Sequence, residues 1–426
     1  MKRLRFTIAL VLFSVCLVAN ALASPPSLVT AGKLDQPRVR WSDRTIKIAI
    51  STSMLKRSPN IKVGSDVIGA VERSLDAWRA VADIEFQLDR SDKQSVSPTG
   101  EADGTSVITV AGTPENVLFF GSDTQAVSAQ TRVFHLRGVI TEADIALNPF
   151  QQFSTDGTFG TFDLQSTLTH EIGHLLGVKH SGVLGSVMYE KLAKVGALGL
   201  ADLGTRTLAE SDISAVRDLY GANTEKDDCC GVVSGKLTLP VGKSLKNLRV
   251  WAEDGDSGRV LGQAEVAADG KFRLGGLPLG TQKFYWKAKS GATGSFGGEL
   301  GDVKVEKADA ATLNQKISVG PSLLSLDFFG QNGQLGESGI SVENGREQII
   351  YVGGKGLDSR TVEIEFSSPF IRAVPATAVN QDFGDGVSVV SLYIVVAPQT
   401  PPGVYSVFAR GQDGSRTAAL GALKIN

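Results

Sequence analysis

The chain has 426 residues, and its 43 Lys and Arg nearly balance its 45 Asp and Glu, for a net charge of −2. This balance gives no indication of a nucleic-acid surface, which would need an excess of basic residues. The length exceeds what one hydrophobic core usually supports, so we expect two or three domains.

Residues 1–23 have the pattern of a secretory signal peptide. Three basic residues precede an apolar run from Ile8 to Val18, and Ala21-Leu22-Ala23 forms a small-residue cleavage site. The apolar run is too short for a typical membrane span, and no other long apolar stretch follows it. The pattern predicts cleavage after Ala23 and a secreted or extracellular chain without a transmembrane segment, with the periplasm and the cell surface as alternative locations.

Residues 38–222 mix the periodicities of strands and helices. One strand is predicted where apolar residues alternate with other residues, at Ile46, Ile48 and Ile50. A long helix that opens near Ser65 is predicted by apolar residues at helical spacing, at Val67, Val71, Leu75 and Trp78. Another strand is expected at residues 107–110. Together with further helices downstream, this order predicts an α+β domain.

Three of the four histidines lie within eleven positions, in the segment HEIGHLLGVKH at residues 170–180. On a helix, His170 and His174 lie one turn apart on one face, close enough to share a metal ion. His180 would be too distant along a continued helix. We therefore expect the helix to break at Gly177, because glycine enters the left-handed conformation without a Cβ clash. The chain can then fold back and bring His180 to the metal.

The residue types of this segment predict a catalytic rather than a structural metal site. Three neutral imidazoles suit zinc and leave a fourth position open for water. Zinc lowers the pKa of such a water to about 7 and polarises a carbonyl group. Glu171 would be the general base that takes the proton of the water and returns it to the departing amine. The alternative is a surface histidine pair with an incidental glutamate, which is far more common for H-E-x-x-H alone than for the full segment.

The segment resembles the active site of metzincin zinc endopeptidases, and among these the matrixins. Ser181 follows the third histidine as it often does in matrixins, and Ser186-Val187-Met188-Tyr189 resembles the methionine turn beneath the metal. Residues 138–148 resemble the matrixin strand that runs antiparallel to a bound substrate. Residues 208–220, with Gly221 after them, resemble the last helix of the matrixin catalytic domain.

This resemblance implies an α+β metzincin-like catalytic domain at residues 38–222 and a secreted zinc-dependent endopeptidase that cleaves protein or peptide substrates. One catalytic Zn²⁺ would be bound by three ligands, His170, His174 and His180. Glu171 would be the base, and Met188 would support the site from below. The alternative from another class is a catalytically silent surface adhesin or binding protein on a metzincin scaffold.

The sequence also departs from the matrixin pattern. A second, structural zinc is usual in matrixins, but His135 is the one histidine left for it, so we expect His135 to be a strand residue without a metal. Ca²⁺ sites in the same loops stay open, with no ligand set assigned. Glu190 stands where astacins and serralysins have a tyrosine two residues after the methionine, so no tyrosine ligand is expected. No cysteine lies between the predicted cleavage site and residue 38, which argues against latency through a propeptide cysteine.

Beyond residue 230, helical periodicity gives way to short strands between turn residues. Residues 231–318 are predicted to form a small β-sandwich, and Gly231-Val232-Val233-Ser234-Gly235 and Asp269-Gly270-Lys271-Phe272 resemble carboxypeptidase-regulatory-like modules. Residues 320–426 are similar to an immunoglobulin-like β-sandwich, with a long apolar strand at residues 387–396. Both all-β domains would serve as spacers, as substrate docking modules or as attachments to a surface or matrix, and inert stabilising modules are an equal alternative.

Three smaller features complete these predictions. Cys229 and Cys230 form either a vicinal disulfide, which we favour, or a bridge between two chains; a third role, as thiols that block the zinc, is disfavoured. The segment from Asp254 to Gly258 is expected to be a hairpin turn rather than a calcium loop, because Arg259 stands where an EF-hand needs glycine. Residues 190–207 would wall the specificity pocket, and their Ala, Gly and Leu content favours an apolar pocket.

Overall fold

The structure is a computed structural model that describes residues 38–121, 127–196, 206–223, 229–240, 248–288, 297–307, 310–318, 323–384 and 386–426. The predicted signal peptide and residues 197–205 of the predicted specificity loop lie outside these ranges. In the part that is described, no helix is long and apolar enough to cross a membrane.

Up to residue 223, helices and strands occur together, as the sequence predicts. The helices are α1 Thr52–Leu55, α2 Val67–Arg79, α3 Pro114–Phe120, α4 Leu164–Leu175 and α5 Glu210–Tyr220. The strands are β1 Thr45–Ser51, β2 Glu85–Ser91, β3 Val107–Thr109, β4 Ala129–Leu136, β5 Val139–Leu147, β6 Phe153–Ser154 and β7 Phe162–Asp163. Five strands form a sheet in the order β2-β1-β3-β5-β4, in which β4 is antiparallel to its neighbour.

The helix α2 shows how the local sequence sets an element. Asp66 caps its first turn by accepting a hydrogen bond from the backbone N–H of Gly69 at 3.0 Å, so the helix begins two residues after the predicted Ser65. Its apolar face is buried against α4, where the indole nitrogen of Trp78 donates to the carbonyl of Thr169 at 2.9 Å. The predicted apolar spacing therefore places α2 directly behind the helix that carries two of the histidines.

One strand lies elsewhere than the sequence predicts. Residues 138–148 do contain a strand, β5, but β5 is inside the sheet between β3 and β4 and is not at the edge where a substrate could lie. The predicted place beside a substrate is wrong for these residues, because β5 pairs with a strand on each side. Its Glu142 and Asp144 side chains are fully buried and face the amine of Lys93. Among the described strands, β4 pairs with β5 alone, so β4 is the edge strand on this side of the sheet.

From residue 229 on, the described chain is made of strands in two pairs of sheets. The middle β unit comprises β8 Cys229–Thr238, β9 Leu248–Asp254, β10 Val260–Glu265, β11 Lys271–Pro278, β12 Gly280–Ala288, β13 Gly297–Val305 and β14 Ala310–Lys316. Its sheets, β10-β9-β12-β13 and β11-β8-β14, bury one common apolar cluster. The predicted hairpin turn is confirmed, because the segment from Asp254 to Gly258 joins the antiparallel strands β9 and β10. Cys229 and Cys230 are bonded to each other, as the favoured alternative predicts.

The terminal β unit has two sheets that bury a second common cluster. Its strands are β15 Phe328–Gln331, β16 Gln334–Gly336, β17 Ile340–Ser341, β18 Glu347–Gly354, β19 Val362–Phe366, β20 Ile371–Ala373, β21 Val379–Gln381, β22 Ser388–Val396, β23 Gly403–Gly411 and β24 Arg416–Ile425. The sheet β17-β24-β23-β19 is the one that reaches the first part of the chain. The sandwich architecture is that expected from the sequence, whereas the family resemblance of either unit stays a prediction.

Candidate metal centre

The helix α4 carries the first two histidines and ends where the sequence predicts. Leu175 is its last residue, and Gly177 follows with a φ of 89°. A Cβ atom at Gly177 would also lie 2.1 Å from the carbonyl oxygen of Val39. Both the left-handed backbone and this close approach require glycine. The chain reverses here and brings His180 back to the helix.

The three histidines converge although they come from two segments. The ring centroids of His170 and His174 are 4.8 Å apart, and that of His180 lies 5.3 Å from the first and 4.6 Å from the second. Within the described chain, these residues are the one group of His, Cys, Asp or Glu side chains that could hold a metal ion. His135, by contrast, is an exposed residue of β4, in agreement with its prediction as a strand residue.

Backbone carbonyls set the tautomers of the two helical histidines. Nδ1 of His170 lies 2.7 Å from the carbonyl oxygen of Val187, and Nδ1 of His174 lies 2.9 Å from that of Val178. Because a carbonyl oxygen can only accept a hydrogen bond, each Nδ1 carries the proton and each Nε2 presents a lone pair. These interactions are typical of the outer partners that orient metal-ligating histidines.

The separation of the two Nε2 atoms shows whether a metal ion could be bound by both. They are 3.1 Å apart, so two lone pairs face each other with no proton between them. A cation resolves this conflict, and two nitrogens at 2.0–2.1 Å from a tetrahedral zinc would be separated by about 3.3 Å. Burial, followed by the neighbouring His180, lowers the pKa of His170 to about 4. Burial also lowers the pKa of His174 well below its usual value. Both rings are therefore neutral at pH 7 and suited to bind a divalent metal.

Glu171 is buried beside the histidines. The hydroxyl of Thr131, on the edge strand β4, donates to one of its carboxylate oxygens at 2.5 Å. Burial raises the pKa of Glu171 to about 7, and the hydrogen bond from Thr131 opposes this rise in part. A carboxyl group with a pKa near neutrality can both accept and return a proton at working pH. Thr131 is a site residue that carries no signal in the sequence.

Met188 packs against α4 at Gly173, and its support of the metal from below stays a prediction. It is fully buried, and a Cβ atom added at Gly173 would lie 2.3 Å from its sulfur and 2.8 Å from the ring of Trp78. Glycine at this point of α4 therefore lets the sulfur pack directly against the helix backbone.

A buried carboxylate holds the methionine turn. Asp212, in the first turn of α5, accepts hydrogen bonds from the backbone N–H groups of Val187 at 2.9 Å, Met188 at 3.3 Å and Ala209 at 2.9 Å, and from the hydroxyl of Ser186. Val187 in turn offers its carbonyl to the first histidine. Asp212 was not predicted as a site residue, because an aspartate in the first turn of a helix is ordinary capping.

Comparisons with known proteins agree with this geometry. Residues 40–221 match the family model described as Matrixin. Metalloendoproteinase 1 of Glycine max is 44% identical over 64 residues, which are 15% of this chain and 18% of that protein. Metalloendoproteinase 2-MMP of Arabidopsis thaliana is 29% identical over 175 residues, 39% of this chain and 40% of that protein. The chain spans less than half the length of the curated relatives it matches.

Among solved structures, the major pilin subunit of Bacillus cereus is 13% identical and covers 44% of this chain and 66% of its own, but the TM-score of 0.17 is too low to indicate a shared fold. The family match therefore carries the comparison. A matrixin domain at residues 40–221 implies the metzincin α+β fold for that part of the chain, and it confirms the predicted resemblance to matrixins there.

Proposed function

We propose that the protein is an exported zinc-dependent endopeptidase, with His170, His174 and His180 as the zinc ligands and Glu171 as the general base. The observation that carries this proposal is the pair of Nε2 lone pairs held 3.1 Å apart by backbone carbonyls, with a third imidazole and a buried carboxyl group beside them. This arrangement has no use in a purely structural helix, because it leaves two acceptors in contact.

Zinc bound there would polarise a substrate carbonyl and lower the pKa of a water molecule to about 7. The chain supplies the rest of the chemistry. Glu171 takes the proton of the attacking water and passes it to the leaving amine. Thr131 holds one carboxylate oxygen of Glu171, which leaves the other oxygen for the proton of the water. The carbonyls of Val187 and Val178 keep the two helical imidazoles in the ligand tautomer.

The edge position of β4 supports a peptide as the substrate. An extended peptide can add to a free sheet edge through main-chain hydrogen bonds. Thr131 belongs to this edge strand and contacts Glu171, so a peptide laid along β4 passes beside the general base. We propose that substrates bind in this way, and that an apolar pocket walled by residues 190–207 selects the side chain after the scissile bond.

The signal-like N-terminus supports export. We propose that the two β units are the carboxypeptidase-regulatory-like and immunoglobulin-like modules that the sequence resembles. Attachment to a surface or matrix through them stays a prediction from the sequence.

The test measures zinc content and cleavage of a peptide library in the full chain. Wild type should hold one zinc per chain and lose cleavage when a chelator removes it. Glu171→Ala should keep the zinc and lose cleavage by at least about a thousandfold, whereas His174→Ala should lose both. His135→Ala is the matched histidine control and should change neither. Zinc binding without cleavage of any peptide would support the silent binding protein instead, and absence of zinc from the wild type would refute the proposal.

A further inference from the structure

We propose that the two C-terminal β units are part of the metal centre, because they hold the loop that joins the third histidine to the methionine turn. This inference rests on the proposed function. Residues 181–188, here called the methionine loop, begin directly after His180 and end at Met188. The β units would thus be neither spacers nor docking modules alone, but the support on which the ligand geometry depends.

The methionine loop is closed at its base and held at its tip. At the base, the backbone N–H of Ser181 donates to the carbonyl of Met188 at 2.7 Å. At the tip, the backbone N–H of Leu184 donates to the carbonyl of Leu420, in β24 of the terminal β unit, at 2.8 Å. The side chain of Leu184 packs on the core of the same unit. The tip therefore extends out of the first part of the chain and into the terminal β unit.

Close packing allows little movement at this contact. A Cβ atom at Gly185 would lie 2.6 Å from a methyl group of Val404 in β23 and 3.0 Å from the carbonyl oxygen of Gly421. A Cβ atom at Gly182 would lie 1.5 Å from the guanidinium group of Arg249, in β9 of the middle β unit. Two glycines of the methionine loop thus admit groups from both β units against the loop backbone.

One apolar cluster contains residues of the first part of the chain and of both β units, which pack together there. Its members are between 0% and 4% exposed and come from the methionine loop, from the residue before α5 and from both β units: Val183, Ala209, Trp251, Val260, Val404, Ala418 and Leu420. We call this group the junction cluster. Lys287 of the middle unit also donates to the carbonyl of Ala418 in the terminal unit. Because interiors pack at close to crystal density, movement at one member is transmitted to the others.

The junction cluster is linked to the metal ligands by a few residues and hydrogen bonds. Val183 accepts a hydrogen bond from the backbone N–H of Ser186 at 3.0 Å, and the next residue, Val187, holds Nδ1 of His170 at 2.7 Å. On the other side, Val183 is three residues from His180. Outer partners of metal-ligating histidines typically change metal affinity by 10-fold to 100-fold when they are lost. We therefore expect residues of the terminal β unit to affect metal affinity as positioning residues.

The test compares two leucines of the terminal β unit in the full chain. Leu420 belongs to the junction cluster and is 4% exposed; Leu392 lies in the unit's own core and is 3% exposed. Leu420→Ala should weaken zinc binding by about tenfold or more, measured against a competing chelator, and should change the visible absorption spectrum of the cobalt-substituted protein. Leu392→Ala should lower the unfolding temperature but leave zinc affinity and the cobalt spectrum as in wild type.

The outcomes separate this inference from the proposed function. If the wild type binds zinc and cleaves peptides, and Leu420→Ala matches it in zinc affinity and cobalt spectrum, the inference alone is refuted. If both leucine variants weaken zinc binding equally, the effect is loss of stability and the inference is again refuted. If the wild type binds no zinc, the inference and the proposed function are both refuted. Should Leu420→Ala fail to fold, Val404→Ala makes a smaller deletion in the same cluster and decides the question by the same two readouts.

Discussion

Asp212→Asn removes the charge that holds the methionine turn while it keeps the size of the side chain. One carboxylate oxygen of Asp212 accepts from the backbone N–H groups of Val187 and Ala209, and the other accepts from Met188 and from the hydroxyl of Ser186. An asparagine can keep its oxygen in only one of these places. Its amide group then faces the N–H of Met188, donor against donor.

The expected loss in the free energy of unfolding follows from these hydrogen bonds. A buried N–H that loses its acceptor destabilises the fold by about 1–3 kcal/mol, and two bonds that lose charge assistance contribute about 1 kcal/mol each. Burial raises the pKa of Asp212, which means that its charge is costly to bury. Removal of that charge therefore offsets part of this loss. We expect a net loss of about 3 kcal/mol in the free energy of unfolding. Zinc affinity should fall by about tenfold or more, because Val187 no longer holds the first histidine in place.

Denaturant unfolding of the metal-free protein and zinc titration against a competing chelator measure the two effects. Ser211→Ala is the matched control, because Ser211 is the preceding residue of α5 and its buried hydroxyl has no hydrogen-bond partner in the described chain. The control should change neither quantity by more than experimental error. The reasoning is refuted if Asp212→Asn unfolds within 1 kcal/mol of wild type and binds zinc with unchanged affinity.

Three further predictions concern other buried carboxyl groups. Thr131→Val should lower kcat/KM by about tenfold at unchanged zinc content, because Glu171 loses the hydroxyl that orients it; unchanged kinetics would contradict that role. Burial raises the pKa of Glu253 to about 7, so the folded state binds this proton more tightly than the unfolded state does. Wild-type stability should therefore fall by about 3 kcal/mol at most as pH rises from 4.5 to 7, and denaturant unfolding of Glu253→Gln should show a flatter profile. Lys93→Met should destabilise the fold by about 3–5 kcal/mol in urea unfolding, because the buried Asp144 loses its cation, and equal stability would contradict this.

The parts of the candidate metal centre that follow from local geometry were predictable from the sequence. The spacing of His170 and His174 requires one helical face, and Gly177 is the residue type that a left-handed helix end needs. His180 lies three residues after Gly177, which then allows this histidine to fold back to the helix. Alternating and helical periodicities likewise predicted β1 and α2, because each pattern reports which face of a single element is buried.

What the sequence could not provide depends on contacts between distant segments. The order of strands in a sheet depends on such contacts, so residues 138–148 were assigned to the strand beside the substrate, although β4 lies at that edge. Thr131 reaches Glu171 across 40 residues, and Asp212 reaches Ser186 across 26. Neither residue type is unusual in its own element, so local patterns give no reason to select it.

The same limit applies to the C-terminal β units. Their sequences show the alternation of strands and resemblances to known modules, and neither describes the surface to which a sheet is joined. The contact with the methionine loop is made by a backbone N–H, two glycines, the guanidinium group of Arg249 and apolar side chains. Such groups bear no chemistry that a sequence pattern can single out. A role in the metal centre can therefore reside in a unit that has no catalytic residue, because close packing transmits position from the junction cluster to His170 and His180.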